Sequence, residues 1–261
     1  MLPEKSLQGR VAIITGGGTG IGFAIAKEYA RLGARLVLAS RSADHLEPAA
    51  RELNALGAEA IAVPTDVRAP EQVDRLMVQA VERFGSIDIM VNNAAGNFIC
   101  PAEKLSANGW NAVVNIVLNG TFYCSRAAGL HMIESGRGGN ILNIVAAYAW
   151  TGGPGTIHSA SAKAGVVCMT RTLAVEWARY KIRVNAIAPG PVETEGAGSR
   201  LWAPPEIREA MLRTIPRGRI GTVEEVGHAA GYLVSDFADF ITGEVLVMDG
   251  GRWLGKGLVG Q

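Results

Sequence analysis

Little in this sequence invites a nucleic acid, a membrane or an oxidised fold. Lysine and arginine together number 25 against 24 acids, a net charge of +1. A balance so near zero leaves no broad basic surface, so neither nucleic acid nor an anionic bilayer is expected as a partner. Any anion must be held by local placement of charge. Only three cysteines occur, Cys100, Cys124 and Cys168. Their odd number and wide spacing exclude a disulfide framework and a zinc-type cluster, and no metal is expected. With no cationic setting around them in the sequence they read as reduced, packed thiols. No stretch of membrane-spanning length lacks charges or glycine breaks. Met1–Arg10 has neither an apolar h-region nor an Arg/Ser-rich transit pattern. The expected location is cytoplasmic, with a cleaved organelle form as the alternative.

What is present is an apolar chain, 48% hydrophobic over 261 residues. That is enough for one large α/β core. Strand-like and helix-like runs alternate from end to end. The strand runs are 10–14, 35–39, 60–63, 87–91, 140–145, 183–187 and 245–248. The helical runs are 20–32, 45–56, 70–84, a long stretch within 110–135, 159–180, 206–214 and 223–234. Such alternation implies right-handed βαβ crossovers and a parallel sheet with helices on both faces. The expectation is a single doubly wound domain over residues 1–261. One long irregular stretch, 189–205, is rich in Gly and Pro, and is expected to form a lid over a site at about 189–215.

The first strand is followed by Thr15-Gly16-Gly17-Gly18-Thr19-Gly20-Ile21-Gly22. Glycines here let backbone N–H groups approach a pyrophosphate, and the helix beginning near Ile21 turns its positive end toward it. The spacing is Gly-x-x-x-Gly-x-Gly at Gly16, Gly20 and Gly22, with Gly18 and Thr19 between. After the first strand of a βαβ series it predicts a Rossmann-type dinucleotide site. The second strand ends at Ser40-Arg41 with no carboxylate to accept from a ribose 2′-hydroxyl. A guanidinium beside a hydroxyl suits a 2′-phosphate, so NADPH is expected over NADH. Asp66, next to Val67 after the third strand, either accepts from the adenine amino group or caps the turn before Pro70.

Three motifs together resemble the short-chain dehydrogenase/reductase family: Thr15–Gly22, Asn92-Asn93-Ala94-Ala95-Gly96, and Pro189-Gly190-Pro191. The resemblance places Asn93, Ala94, Gly96, Pro189, Gly190 and Val192 at the cofactor. It also implies a catalytic Asn, Ser, Tyr and Lys, with Tyr four residues before Lys. Here Lys163 and Asn115 are kept, but the tyrosine position holds Ser159 and the serine position holds Ala146. Asn115 is read as structural, bonding backbone at a helix kink. Tyr148 lies two residues past Ala146. If the fifth strand ran on, both would share a face.

The segments 93–98, 117–121, 148–165 and 189–201 resemble the 2,4-dienoyl-CoA reductase branch. That branch implies a displaced tyrosine at Tyr148, working with Asn97 and Lys163, and a retained Ser159. It implies an acyl-CoA substrate, contacted by Asn97, Phe98 and a lid arginine, Arg200, which would bind a CoA phosphate. The implied reaction is NADPH-dependent reduction of a 2,4-dienoyl-CoA to a 3-enoyl-CoA in unsaturated fatty acid degradation, and the family implies a homotetramer. Residues 245–249 and Trp253 are candidate interface positions. Ser159 either bonds the site or caps its helix, and His158 reads as a packed residue. Two alternatives stand: a reductase of carbonyls or 3-oxoacyl thioesters, and an NADP-binding protein without chemistry.

Overall fold

The strands of this chain are apolar on both faces, and that decides the architecture. In β1 (Val11–Thr15), Val11 and Ile13 enter one core while Ala12 and Ile14 enter another. In β2 (Arg35–Ser40), Leu36 and Leu38 join the core of Ala12 and Ile14, and Val37 and Ala39 that of Val11 and Ile13. A sheet with two apolar faces must be covered on both by helices.

The structure, a computed structural model, describes residues 2–194 and 205–254. Its sheet has seven parallel strands in the order β3-β2-β1-β4-β5-β6-β7. The remaining strands are β3 (Ala60–Pro64), β4 (Ile89–Asn92), β5 (Gly139–Ile144), β6 (Ile182–Pro189) and β7 (Val245–Met248). Helices α1 (Gly20–Arg31), α2 (Ala43–Ala55) and α9 (Val223–Val234) cover one face. Helices α3 (Pro70–Phe84), α5 (Gly120–Ser135) and α7 (Ile157–Trp177) cover the other. Short helices α4 (Ala107–Val114), α6 (Tyr148–Thr151) and α8 (Pro205–Leu212) lie between strands and main helices. This is the doubly wound, Rossmann-type α/β fold that the alternation implies. Strand order reverses between β1 and β4, and ligands of open parallel sheets bind outside the strand ends at such a reversal.

Helix α1 is held down by α9, which approaches closely because it carries glycine at the contact. A Cβ at Gly227 would meet the Ala24 carbonyl oxygen at 3.0 Å. A reciprocal capping box starts α9: Glu225 N–H donates to the Thr222 hydroxyl, and Thr222 N–H donates to the Glu225 carboxylate.

The long helix expected within 110–135 is α5, and a π-helical turn at Asn115–Asn119 joins it to α4, a local widening that apolar spacing does not mark. Two expectations need correction. The fifth strand stops at Ile144, and Tyr148 opens the one-turn helix α6 instead of prolonging a strand. The thiols are all free, but only Cys124 is buried, where burial pushes its pKa up to about 12; Cys168 is exposed.

Candidate active site

The loop from β1 to α1 is built for close approach. Gly16 has φ +64°, a left-handed conformation that a side chain disfavours. A Cβ on Gly22 would lie 2.2 Å from the Gly16 carbonyl oxygen and 2.6 Å from Asn93 Nδ2. A Cβ on Gly18 would meet the His45 backbone at 3.0 Å. The loop therefore folds back on the first turn of α1, leaving its N–H groups at the helix's positive end. A cavity of about 500 Å³ opens beside it, bordered by Gly18, Thr19, Gly20, Phe23, Lys27 and Thr194. The cradle fits a dinucleotide pyrophosphate.

Asn93 clamps this loop across the strand reversal. Its side-chain amide donates to the carbonyls of Thr15 (2.9 Å) and Gly16 (3.2 Å). The Thr15 hydroxyl accepts from the N–H groups of Asn93 and Ala94 and donates to the Val91 carbonyl. The donors of Asn93 are thus spent on shaping the loop. Thr15 was not singled out by sequence; a hydroxyl at the end of a strand carries no such signal.

At the 2′ end, Ser40 ends β2 and Arg41 stands exposed beside it. Asp66 makes the turn of the second alternative: its carboxylate accepts from Arg68 N–H at 3.0 Å, and also from the Arg68 guanidinium. Arg68 holds the Asp66 carboxyl below the usual carboxylate range, and Arg41 adds a smaller pull in the same direction. Val67 is buried, and its side chain would be 2.7 Å from a Cβ on Gly120.

The catalytic candidates gather at the start of α7. The Tyr148 hydroxyl lies 3.0 Å from Ser159 Oγ. The cap position of α7 is Thr156, so Ser159 lies in the first turn and is not the cap. One turn further, Lys163 is buried and its ammonium donates to the Ile144 carbonyl. Burial lowers its pKa to about 8. Asn115 is not bonded to backbone as expected. It sits at the π turn, where its carbonyl accepts from the side-chain amide of Asn119 at 2.8 Å.

Asn97 lies exposed on the loop after β4, and its side-chain carbonyl accepts from Phe98 N–H at 2.9 Å. That bond leaves the amide nitrogen as the outward donor. The loop is docked onto the approach to α7: Cys100 N–H donates to the Gly155 carbonyl, and the Phe98 ring meets the His158 ring edge-on at 4.5 Å. The link from Phe98 to His158 spans sixty positions of chain and has no sequence signal. Beyond β6, Gly190 N–H donates to the Met248 carbonyl, and Val192 pairs with Gly221. Arg200 and the rest of 195–204, the middle of the expected lid, lie outside the described residues. Trp253 stacks near Trp150, centroids 5.8 Å apart.

Residues 16–252 match a family model described as enoyl-(acyl carrier protein) reductase. A protein named probable 2,4-dienoyl-CoA reductase, (2E)-enoyl-CoA-producing, of Bacillus subtilis is 48% identical, covering 95% of this chain and 98% of its own. A peroxisomal 2,4-dienoyl-CoA reductase of Pongo abelii, named as (3E)-enoyl-CoA-producing, is 45% identical over 95% of this chain and 85% of its own. Among solved structures, a short chain dehydrogenase from Bacillus anthracis superposes with a TM-score of 0.88 at 51% identity, covering 95% of this chain and 98% of that one.

Proposed function

The chain belongs to the short-chain dehydrogenase/reductase family, and from that premise we propose that it reduces 2,4-dienoyl-CoA thioesters with NADPH, in the degradation of unsaturated fatty acids. The observation that carries the reading is the 3.0 Å contact between the Tyr148 hydroxyl and Ser159 Oγ. It returns a phenol to the place where the family's usual tyrosine is missing. The dienoyl-CoA names of the relatives agree with it.

When bound, the nicotinamide supplies a hydride, here to the δ-carbon of the dienoyl chain, and charge runs through the conjugated system to the thioester oxygen. The Tyr148 hydroxyl and the Asn97 amide are the donors for that oxygen; donors aimed at developing charge lower the barrier most. Ser159 orients the phenol. Lys163 holds the nicotinamide ribose. Arg41 and Ser40 take the 2′-phosphate, and Phe98 and Arg200 the acyl-CoA. Asp66, while it makes its turn with Arg68, also accepts from the adenine amino group. Protonation of the dienolate at the α-carbon, from Tyr148 or an ordered water, gives the 3-enoyl product. Protonation at the γ-carbon would give the 2-enoyl product, and the names of the two relatives divide on this point. We assign the α-carbon and the 3-enoyl product.

The assembly we propose is a homotetramer, favoured by the open edge of β7 and the adjoining Trp150–Trp253 pair. Light scattering on the purified protein checks it.

The deciding assay follows cofactor oxidation with a 2,4-dienoyl-CoA and a 3-oxoacyl-CoA side by side, each with NADPH and NADH. Turnover of the dienoyl substrate with NADPH is expected. Reaction with the oxo substrate alone overturns the proposal, as does tight NADPH binding without turnover on either. Chromatography of the product reads the double bond: a 2-enoyl product keeps the reductase and moves proton delivery to the γ-carbon.

A further inference from the structure

We infer that His158 is a positioning residue that joins the two oxyanion donors, Asn97 and Tyr148, into one unit. This rests on the reading of the site given above.

The imidazole has no solvent exposure. Its Nδ1 accepts from Ser159 N–H at 2.9 Å, using the in-plane lone pair of that ring nitrogen. Ser159 is the third residue of α7, and the N–H groups of a first turn have no acceptor within the helix. The cap residue normally provides one. Here Thr156 does not: it makes no capping bond, and its hydroxyl donates to the Gly153 carbonyl instead. His158 takes over that duty and fixes the backbone of the residue whose Oγ lies 3.0 Å from the Tyr148 hydroxyl.

The ring's other contact leads to the second donor. Phe98 stands edge-on to it at 4.5 Å, and Phe98 N–H is bonded to the Asn97 carbonyl. One imidazole therefore lies between the neighbour of Asn97 and the partner of Tyr148. Packing alone does not account for histidine here. Its Nε2 is buried with no hydrogen-bond partner among the described residues, a mismatch that costs stability. A phenylalanine would fill similar space without it. What phenylalanine lacks is the Nδ1 acceptor for Ser159. A local cost retained for a positional gain is the pattern of a functional site.

The test compares His158→Phe, Phe98→Ala and the double variant. His158→Phe keeps an aromatic ring and loses the acceptor. Phe98→Ala attacks the same link from its half-exposed side, where folding is least at risk. Each single variant is expected to lower kcat with dienoyl-CoA about ten- to hundredfold through misplacement of the donors. For His158→Phe the KM for dienoyl-CoA and the NADPH Kd, read by fluorescence, are expected to stay within about twofold, since a positioning loss falls on kcat; Phe98→Ala also removes an acyl-CoA contact and is expected to raise KM besides lowering kcat. The double variant should be no slower than the worse single one, because both break one link. Effects that multiply, or a loss confined to KM, overturn the inference. Should His158→Phe not fold, a kcat unaltered by Phe98→Ala overturns it as well. Failure of the underlying reading looks different: Asn97→Ala and Tyr148→Phe would then leave turnover intact.

Discussion

Asn93 and Gly16 meet across the reversal of strand order: the Asn93 side-chain amide donates to the Gly16 carbonyl, and a Cβ on Gly22 would strike both groups. Two glycines of one loop and an asparagine some seventy residues on thus define one surface. Gly22→Ala places a methyl 2.2 Å from that carbonyl oxygen. The oxygen is backbone and the Asn93 amide is held by two hydrogen bonds, so the loop must move. We expect about 1–3 kcal/mol of lost stability and loss of measurable NADPH binding. Thermal denaturation and fluorescence titration read the two effects separately.

Removing the Tyr148 hydroxyl tests the chemistry without touching the cradle. Tyr148→Phe should lower kcat about 10²–10³-fold while the NADPH Kd stays unchanged. Ser159→Ala only frees the phenol's orientation, and one neutral hydrogen bond is worth about 1 kcal/mol, or roughly fivefold. Turnover measured at saturating cofactor separates the two. Equal effects would mean that Ser159 itself acts on substrate.

Lys163 sets a pH limit. Burial lowers its pKa to about 8, so below that value the site is cationic and above it neutral. NADPH, which carries only negative charge, should bind more weakly as pH rises through about 8. Lys163→Met should bind weakly at every pH with a flatter profile. The same depression has a folding consequence. Between about 8 and the ordinary lysine value the unfolded chain holds a proton that the folded chain has released. Stability of the free protein therefore rises with pH across that window. Urea denaturation at several pH values, with and without Lys163, measures it.

Arg41 should decide between the two nicotinamide cofactors. A charge-assisted hydrogen bond is worth about 1.5–3 kcal/mol. Arg41→Ala should raise the KM for NADPH roughly tenfold to a hundredfold and leave that for NADH nearly unchanged. A parallel loss with both cofactors would place Arg41 elsewhere.

The capping box of α9 supports α1 from behind. Thr222→Ala removes its acceptor and should cost about 1 kcal/mol. Glu225 is held down at about 2, first by the Arg219 hydrogen bond and then by Thr222 N–H. With its folded value depressed, its contribution is present above the ordinary glutamate value and is lost as pH falls toward 2. Its exposure keeps the ion pair worth little. Denaturation midpoints of Glu225→Gln and the parent protein should therefore converge on acidification.

The sheet was legible because two-faced strands such as Val11–Thr15 have only one kind of home, and because glycine at 16, 20 and 22 punctuates the first crossover. Helix 223–234 and strand 245–248 were read to the residue. Other features gave less away. Ala146-Ala147-Tyr148-Ala149 holds no Gly or Pro to mark where β5 stops, so the phenol's route to Ser159 was invisible although its destination was not. Asn115 was read as a backbone binder at a kink, but the π turn there brings it to the Asn119 side chain instead. Asp66 was read as either ligand or turn; Arg68, two residues on, supplied the turn. His158 and Phe98 met only once β4 and α7 were packed side by side.

Arg41 projects freely from the rim of β2, away from the hydrogen bonds by which Asn93 fastens the glycine loop. On the proposed reading, preference for one nicotinamide currency over another is thus an outlying property of this fold, open to redesign. The proposed grip on the acyl chain is not: its loop continues directly from the asparagine that pins the glycine loop, and remodelling the one disturbs the other.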